Sequence, residues 1–173
     1  MKRIALILSG LLTLSACSRQ AIGEGEGCLS LNVDMARTKA AMSDEQLLAT
    51  ARVNIYYADF SGLVRSWTCA DAPETTWLPA GAYRVDVEAG EKVKENPALA
   101  SWEQRSYSGS KNFSIVAGQA TQVTVPALCS NAVSKVNFAS TIGQCFEAGY
   151  TLTVALKDGV SLTYTAADNG KDG

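Results

Sequence analysis

Hydrophobic and polar residues alternate with a period of two along most of the chain. Leu29, Leu31, Val33 and Met35 alternate with Ser30, Asn32, Asp34 and Ala36, and Val53, Ile55 and Tyr57 with Asn54 and Tyr56. Tyr83, Val85 and Val87 alternate with Arg84, Asp86 and Glu88, and Thr121, Val123 and Val125 with Gln122 and Thr124. Leu152, Val154 and Leu156 do the same with Thr153 and Ala155. Successive side chains of a strand point to opposite faces. Each run therefore predicts a strand with one face in a core and the other in water. The stretches Leu63–Cys69, Asn112–Val116, Val133–Phe138 and Val160–Thr165 bring the set to about nine short strands.

The punctuation agrees. Ala58-Asp59-Phe60-Ser61-Gly62 is a short hairpin loop, and Asp158-Gly159 suits a two-residue type I′ turn, in which both central residues take positive φ. Pro79-Ala80-Gly81 and Ala117-Gly118-Gln119 each precede a strand. One helical signal stands out: Ser43-Asp44-Glu45-Gln46 has the spacing of a capping box with Leu47 and Leu48 behind it. It predicts one or two turns inside a crossover after the first strand. Regularly spaced short strands with few helices predict an all-β chain folded as an antiparallel sandwich.

The N-terminus breaks this pattern. Lys2 and Arg3 precede an apolar run, Ile4 to Leu14, and then Ser15, Ala16 and Cys17. Eleven apolar residues are too few to cross a hydrocarbon core of about 30 Å as a helix, so the segment reads as a signal peptide. Leu14-Ser15-Ala16-Cys17 resembles the bacterial lipobox, in which cleavage between Ala16 and Cys17 leaves an acylated cysteine as the new N-terminus. The alternative is an ordinary signal peptide with Cys17 incidental. Each buried CH₂ contributes roughly 0.8 kcal/mol, so two or three acyl chains on Cys17 would hold the protein to membrane lipid almost irreversibly. The expected layout is a lipoprotein signal peptide at 1–16 and a flexible Gly/Glu tether at 17–27. A β-sandwich at 28–130 and a second β unit at 131–173 follow. The last unit supplies only three strands and stops at a turn, so either these strands complete the first sandwich or, the favoured expectation, the unit is incomplete.

Composition narrows the function. The chain of 173 residues carries 15 Lys and Arg against 17 Asp and Glu, and no histidine. Without Lys2 and Arg3 the balance is 13 against 17, a charge of −4. A mildly acidic surface does not attract phosphate backbones, which excludes nucleic acid as the expected partner. The lack of histidine removes the commonest general base, the Ser-His-Asp and Cys-His sites and most catalytic zinc sites. No enzyme, cofactor or metal is expected.

Several side chains are candidates for more than packing. With Cys17 acylated, Cys28, Cys69, Cys129 and Cys145 remain. In an oxidising envelope they make two disulfides of undetermined connectivity, or else some stay as buried thiols. Trp67 is in phase with Leu63 and Cys69 and reads as core; Trp77, before the Pro-Gly turn, reads as a plug at one end of the sandwich. Trp102 and Tyr107 fall in the least periodic stretch, Lys92–Ser110, which predicts a long loop and a candidate ligand site for sugar rings. Asp168 and Asp172 partly match a calcium loop but lack its later ligands, so a plain turn is expected. Asp86 and Glu88, with Arg84, read as a solvated strand face.

The segments GCLSLNVDM, ARVNIYYADFSGLVRSW, PETTWLPAGAYRVDVEAGE, YSGSKNFSIVAGQATQVTV and SKVNF appear in this order. Together they resemble lipoproteins of gut Bacteroidota that carry a domain of unknown function, family 4493. Leu78-Pro79-Ala80-Gly81-Ala82-Tyr83-Arg84-Val85 is similar to a turn-strand signature of prealbumin-like and immunoglobulin-like surface modules. The resemblance implies an outer-membrane lipoprotein with an immunoglobulin-like or prealbumin-like sandwich and no enzymatic activity. Its members usually continue beyond this chain's end, which again implies a fragment. Surface-exported lipoproteins of these bacteria carry acidic residues directly after the lipidated cysteine, whereas Ser18-Arg19-Gln20 stands here. That leaves both the periplasmic and the surface side open. Pilins of the same phylum are lipoproteins cut by an Arg-specific protease after an early strand, and Arg37 stands in that position. The expected roles are thus surface structure, adhesion or ligand binding. The alternatives are a pilus-associated subunit processed at Arg37 or a glycan-binding accessory. The expected partners are membrane lipid and either glycans or other envelope proteins.

Overall fold

The computed structural model describes residues 25–35, 44–146 and 149–173; Ala16, Cys17 and Arg37 lie outside the described residues, as does Ser43 of the capping box. Seven strands form one curled sheet: β1 (Glu26–Met35), β2 (Arg52–Tyr57), β3 (Leu63–Thr68), β4 (Thr76–Pro79), β5 (Gly81–Gly90), β6 (Ser106–Ile115) and β7 (Ala120–Cys129). Their spatial order is β3-β2-β5-β6-β7-β1-β4. A separate two-stranded sheet pairs β8 (Thr151–Ala155) with β9 (Ser161–Thr165). Helix α1 (Asp44–Thr50) lies between β1 and β2, as the sequence predicts, and a single helical turn, α2 (Ile142–Cys145), precedes β8. The all-β class stands.

The alternation becomes burial. Tyr83, Val85, Val87 and Ala89 of β5 all point inward, and Val53 and Ile55 of β2 and Val123, Val125 and Ala127 of β7 join them. Leu29, Leu78 and Leu47 of α1 complete the same core. Burying each large aliphatic side chain is worth about 1.5–3 kcal/mol, so this one cluster accounts for the cohesion of residues 26–129.

β7 is the hinge of the curl. Its first eight residues pair with β1, and its last two, Leu128 and Cys129, pair with Ser108 and Tyr107 of β6. At the crossing, a Cβ on Gly109 would collide with the carbonyl of Pro126, so only glycine permits this approach. The pairing of β1 with β7 is parallel, over Cys28–Met35 and Ala120–Ala127. This corrects the expected all-antiparallel sheet. Both strands enter from the same end of the molecule, and a period of two is the same for parallel and antiparallel neighbours.

Three other expectations are revised. Val133–Phe138 is not a strand: it makes one bridge, Lys135 with Asp172, while the four-residue β4, too short for a periodic signal, takes its place. β6 begins at Ser106 rather than near Asn112, so the last five residues of the expected long loop, Ser106–Ser110, are strand. Tyr107-Ser108-Gly109-Ser110 has weak intrinsic strand preference and is recruited by pairing with β5. The β8–β9 connection is the five residues Leu156–Val160, in which the Leu156 amide donates to the Val160 carbonyl at 2.7 Å and the Gly159 amide to the Leu156 carbonyl at 3.0 Å. Only Gly159, at φ 93°, is in the positive-φ region there, so the turn is not type I′.

Candidate functional site

The sheet has two ends with different character. At one end lie Gly25, the β2–β3 tip, Pro79–Ala82 and the β6–β7 turn. They are tied by bonds from the Ala80 amide to the Gly25 carbonyl (2.7 Å), from Ala58 to Ala82 (3.0 Å) and from Gly118 to Glu26 (2.8 Å). At the other end the chain leaves β5, β6 and β7 to build a cleft of about 550 Å³.

That cleft lies between the loop after β5, the segment after β7, and the β8–β9 hairpin. Leu99, Val133, Val154, Leu156 and Leu162 supply apolar walls, and Ser106, Asn131 and Ser134 supply polar positions. Its size and mixed lining are those of a small-molecule or side-chain pocket.

Its near wall is held by a buried carboxylate. Gly90 takes a φ of 73°, and a Cβ there would strike the carbonyl of Arg105, so glycine lets β5 turn sharply into Glu91. Glu91 is 6% exposed. It accepts from the Ala98 amide at 3.1 Å and pairs with the Lys94 ammonium. The Lys94 contact, then the Ala98 amide, holds its carboxyl below the usual range. Asn131 ties β6 to the start of the second unit. Its Oδ1 accepts from the Ser106 amide at 2.9 Å, and its Nδ2 donates to the Gln104 carbonyl at 3.2 Å.

The far wall is docked by the C-terminal residues. The Asp172 carboxylate sits between Arg105 and Lys135, and its backbone carbonyl accepts from the Glu103 amide at 2.7 Å. Arg105 first, then Lys135, depresses the Asp172 carboxyl. Ser134 and Gly173 exchange two backbone bonds of 2.8 Å. The fully buried Tyr164 donates to the Ser134 carbonyl at 2.9 Å.

The candidate ligand loop is corrected by this arrangement. Tyr107 is on β6 with 2% exposure, in the core. Trp102 is half-buried and meets Tyr164 edge-on at 4.7 Å, with the Lys171 ammonium 5.9 Å from its ring centre. The two do not form a stacking platform; Trp102 joins the second unit to the first. Trp67 packs against the core as expected, though its indole nitrogen is buried without a partner among the described residues. Trp77 is half-buried on β4, opposite Cys28.

Of the two readings of the cysteines, the structure has the thiols: among the described residues Cys28, Cys69, Cys129 and Cys145, on β1, after β3, at the end of β7 and on α2, are not joined to one another by disulfides. Burial pushes the Cys69 thiol up, and the Cys129 thiol donates to Asn131 Oδ1 at 3.4 Å. Asp168 caps the turn after β9 through Thr165 and pairs with Lys171, so it serves the plain turn. Arg84 pairs with Asp86 on the outer face of β5.

What the sequence missed is the cleft itself. Its lining comes from four separated segments, and only Leu99, 87% exposed in a polar loop, signals it locally.

Residues 25–173, from the first described residue onward, match the family described as "Domain of unknown function (DUF4493)". The chain belongs to this family. The DUF4493 match spans the curled sheet and the hairpin unit together, and no curated protein matches the chain. The four docking contacts of Asp172, Ser134, Tyr164 and Trp102 therefore lie inside the matched DUF4493 region.

Proposed function

We propose that this DUF4493 protein is a lipid-anchored, non-catalytic module of the bacterial cell envelope, bound to the outer membrane through Cys17. It presents a β-rich unit for surface structure, adhesion or ligand binding. The observation that carries this reading is Leu14-Ser15-Ala16-Cys17 at the end of the apolar run from Ile4, eight positions before Gly25, the first described residue. The cleft at the opposite end is the surface with depth for a ligand, and its walls favour an apolar group with one polar end. Replacing Cys17 with Ser should move the protein from the membrane fraction to the soluble envelope fraction and abolish incorporation of labelled palmitate. Persistent membrane association without label would contradict the reading.

A second reading rests on the position of β1. This strand runs between β7 and β4, and Arg37 follows it by two residues. Cleavage after Arg37 would separate β1 from the rest, and its loss would leave both neighbours with an unpaired edge for a donor strand. Pilus-associated assembly of this kind predicts mature protein beginning at Thr38. Finding only chains that begin at Cys17 would reject it.

A further inference from the structure

Ten large apolar residues are exposed among the described residues, and six of them, Leu99 among them, lie on the cleft loop, at the end of β7 or in the residues after it. The other four, Tyr57, Phe60, Leu63 and Val116, are 44–56% exposed. All four lie in the β2–β3 tip or the β6–β7 turn, at the end where β1 begins. The hairpin tip is stiff. The Tyr57 amide donates to the Gly62 carbonyl at 3.2 Å, the Phe60 amide donates to the Tyr57 carbonyl at 2.9 Å, and Asp59 Oδ1 accepts from the Ser61 amide at 2.9 Å. Phe60 sits at φ 58°, a backbone region that side-chain-bearing residues rarely adopt, with its ring held outward. The Arg84 guanidinium covers that ring at 5.0 Å. Behind the tip, Tyr57, Tyr83 and Phe113 stack across three strands with centroids 5.7 and 5.6 Å apart, and Tyr83 donates to the Pro79 carbonyl at 2.8 Å.

We infer that this end of the sandwich is a membrane-contact face, seated in the interfacial layer of the lipid bilayer to which Cys17 is attached. The inference rests on the proposed lipidation. Seven residues separate Cys17 from Gly25, and the eight Cα steps between the two span at most about 28 Å when fully extended. They therefore deliver the chain to this end of the sheet and not to the cleft. A short tether makes the second contact intramolecular, at an effective concentration in the mM range, so a tip of modest intrinsic affinity remains engaged. The chemistry suits the interface: aromatic rings are the side chains that settle at headgroup depth. Arg84 is paired with Asp86 and Arg65 is offset by the acidic Asp59 and Glu26, so contact depends on apolar insertion and not on a positive net charge. With the tip at the bilayer, the cleft points away from it.

The test uses the full lipidated protein, purified from membranes and placed in phosphatidylcholine–phosphatidylethanolamine vesicles. Single variants Phe60→Trp and Leu99→Trp add a reporter at each end above the native tryptophan signal. Brominated lipids should quench the added emission at position 60 and leave that at 99 unchanged. Equal, unquenched emission from both variants in vesicle-bound protein would overturn the inference while leaving lipidation intact. Protein that fails to partition into vesicles at all would overturn both. Phe60→Asp with Leu63→Asp should keep the protein vesicle-bound but remove the deuterium-exchange protection that lipid confers on residues 57–63. Unchanged protection would also count against a seated tip.

Discussion

Asp172 shows how one side chain can hold two units together. Its carboxylate answers Arg105 from the β6 approach and Lys135 from the segment after β7, while its own backbone carries the final pairing with Ser134 and Glu103. Its folded-state pKa is depressed. Its contribution is therefore present above the unfolded carboxylate value of about 3.9 and is lost as pH falls through the lower folded value. Glu91 and Asp168 are shifted in the same direction and add to the same acid sensitivity. Replacing Asp172 with Asn should cost about 1–3 kcal/mol at neutral pH, because it leaves the mostly buried Arg105 guanidinium without its charged partner. Chemical denaturation should show this loss at pH 7 and a smaller difference from wild type near pH 3.

At the scale of elements, the sensitive place is the β6–β7 crossing. There the sheet changes from antiparallel pairing with β6 to parallel pairing with β1 within a few residues. Gly109 permits the backbones to approach, and Val at this position would force Pro126 aside. Gly109→Val should destabilise the fold by about 1–3 kcal/mol, as overpacking does. Gly118→Ala, whose Cβ would meet open space but whose φ is 73°, costs only the backbone strain, on the order of 1 kcal/mol. Thermal melts of the two variants should separate in that order. The element-level reading of the sequence was sound wherever a strand had one dry and one wet face, as β5 does. It missed β4, which is four residues long, and extended the 92–110 loop over the start of β6. Length and pairing, not periodicity, decide those stretches.

The whole molecule is polar in the geometric sense. An aromatic tip and the start of β1 occupy one end, and the cleft occupies the other. If the cleft is the ligand surface, an environment-sensitive naphthalene dye should gain fluorescence with wild-type protein. It should lose that gain with Leu99→Asp combined with Leu156→Asp, both partly exposed positions that leave the core untouched. An equal signal from the double variant would place dye binding elsewhere.

By itself the sequence determined the strands with alternating faces, the short helix before Arg52, the turn at Asp168 and the expectation of lipid attachment at Cys17. These depend on residues close together in the chain, where a period of two, a capping spacing or a cleavage motif is complete within a few positions. Only the tertiary structure decided that β1 runs parallel to β7, that Tyr107 is core, that Trp102 bridges two units and that Cys28, Cys69, Cys129 and Cys145 are not joined to one another by disulfides. It also assembled the cleft from segments up to about eighty residues apart. Side-chain alternation is blind to strand direction, and a residue's exposure depends on what folds over it. Tyr107 and Trp102 became structural because β5 and Tyr164, distant in sequence, close against them.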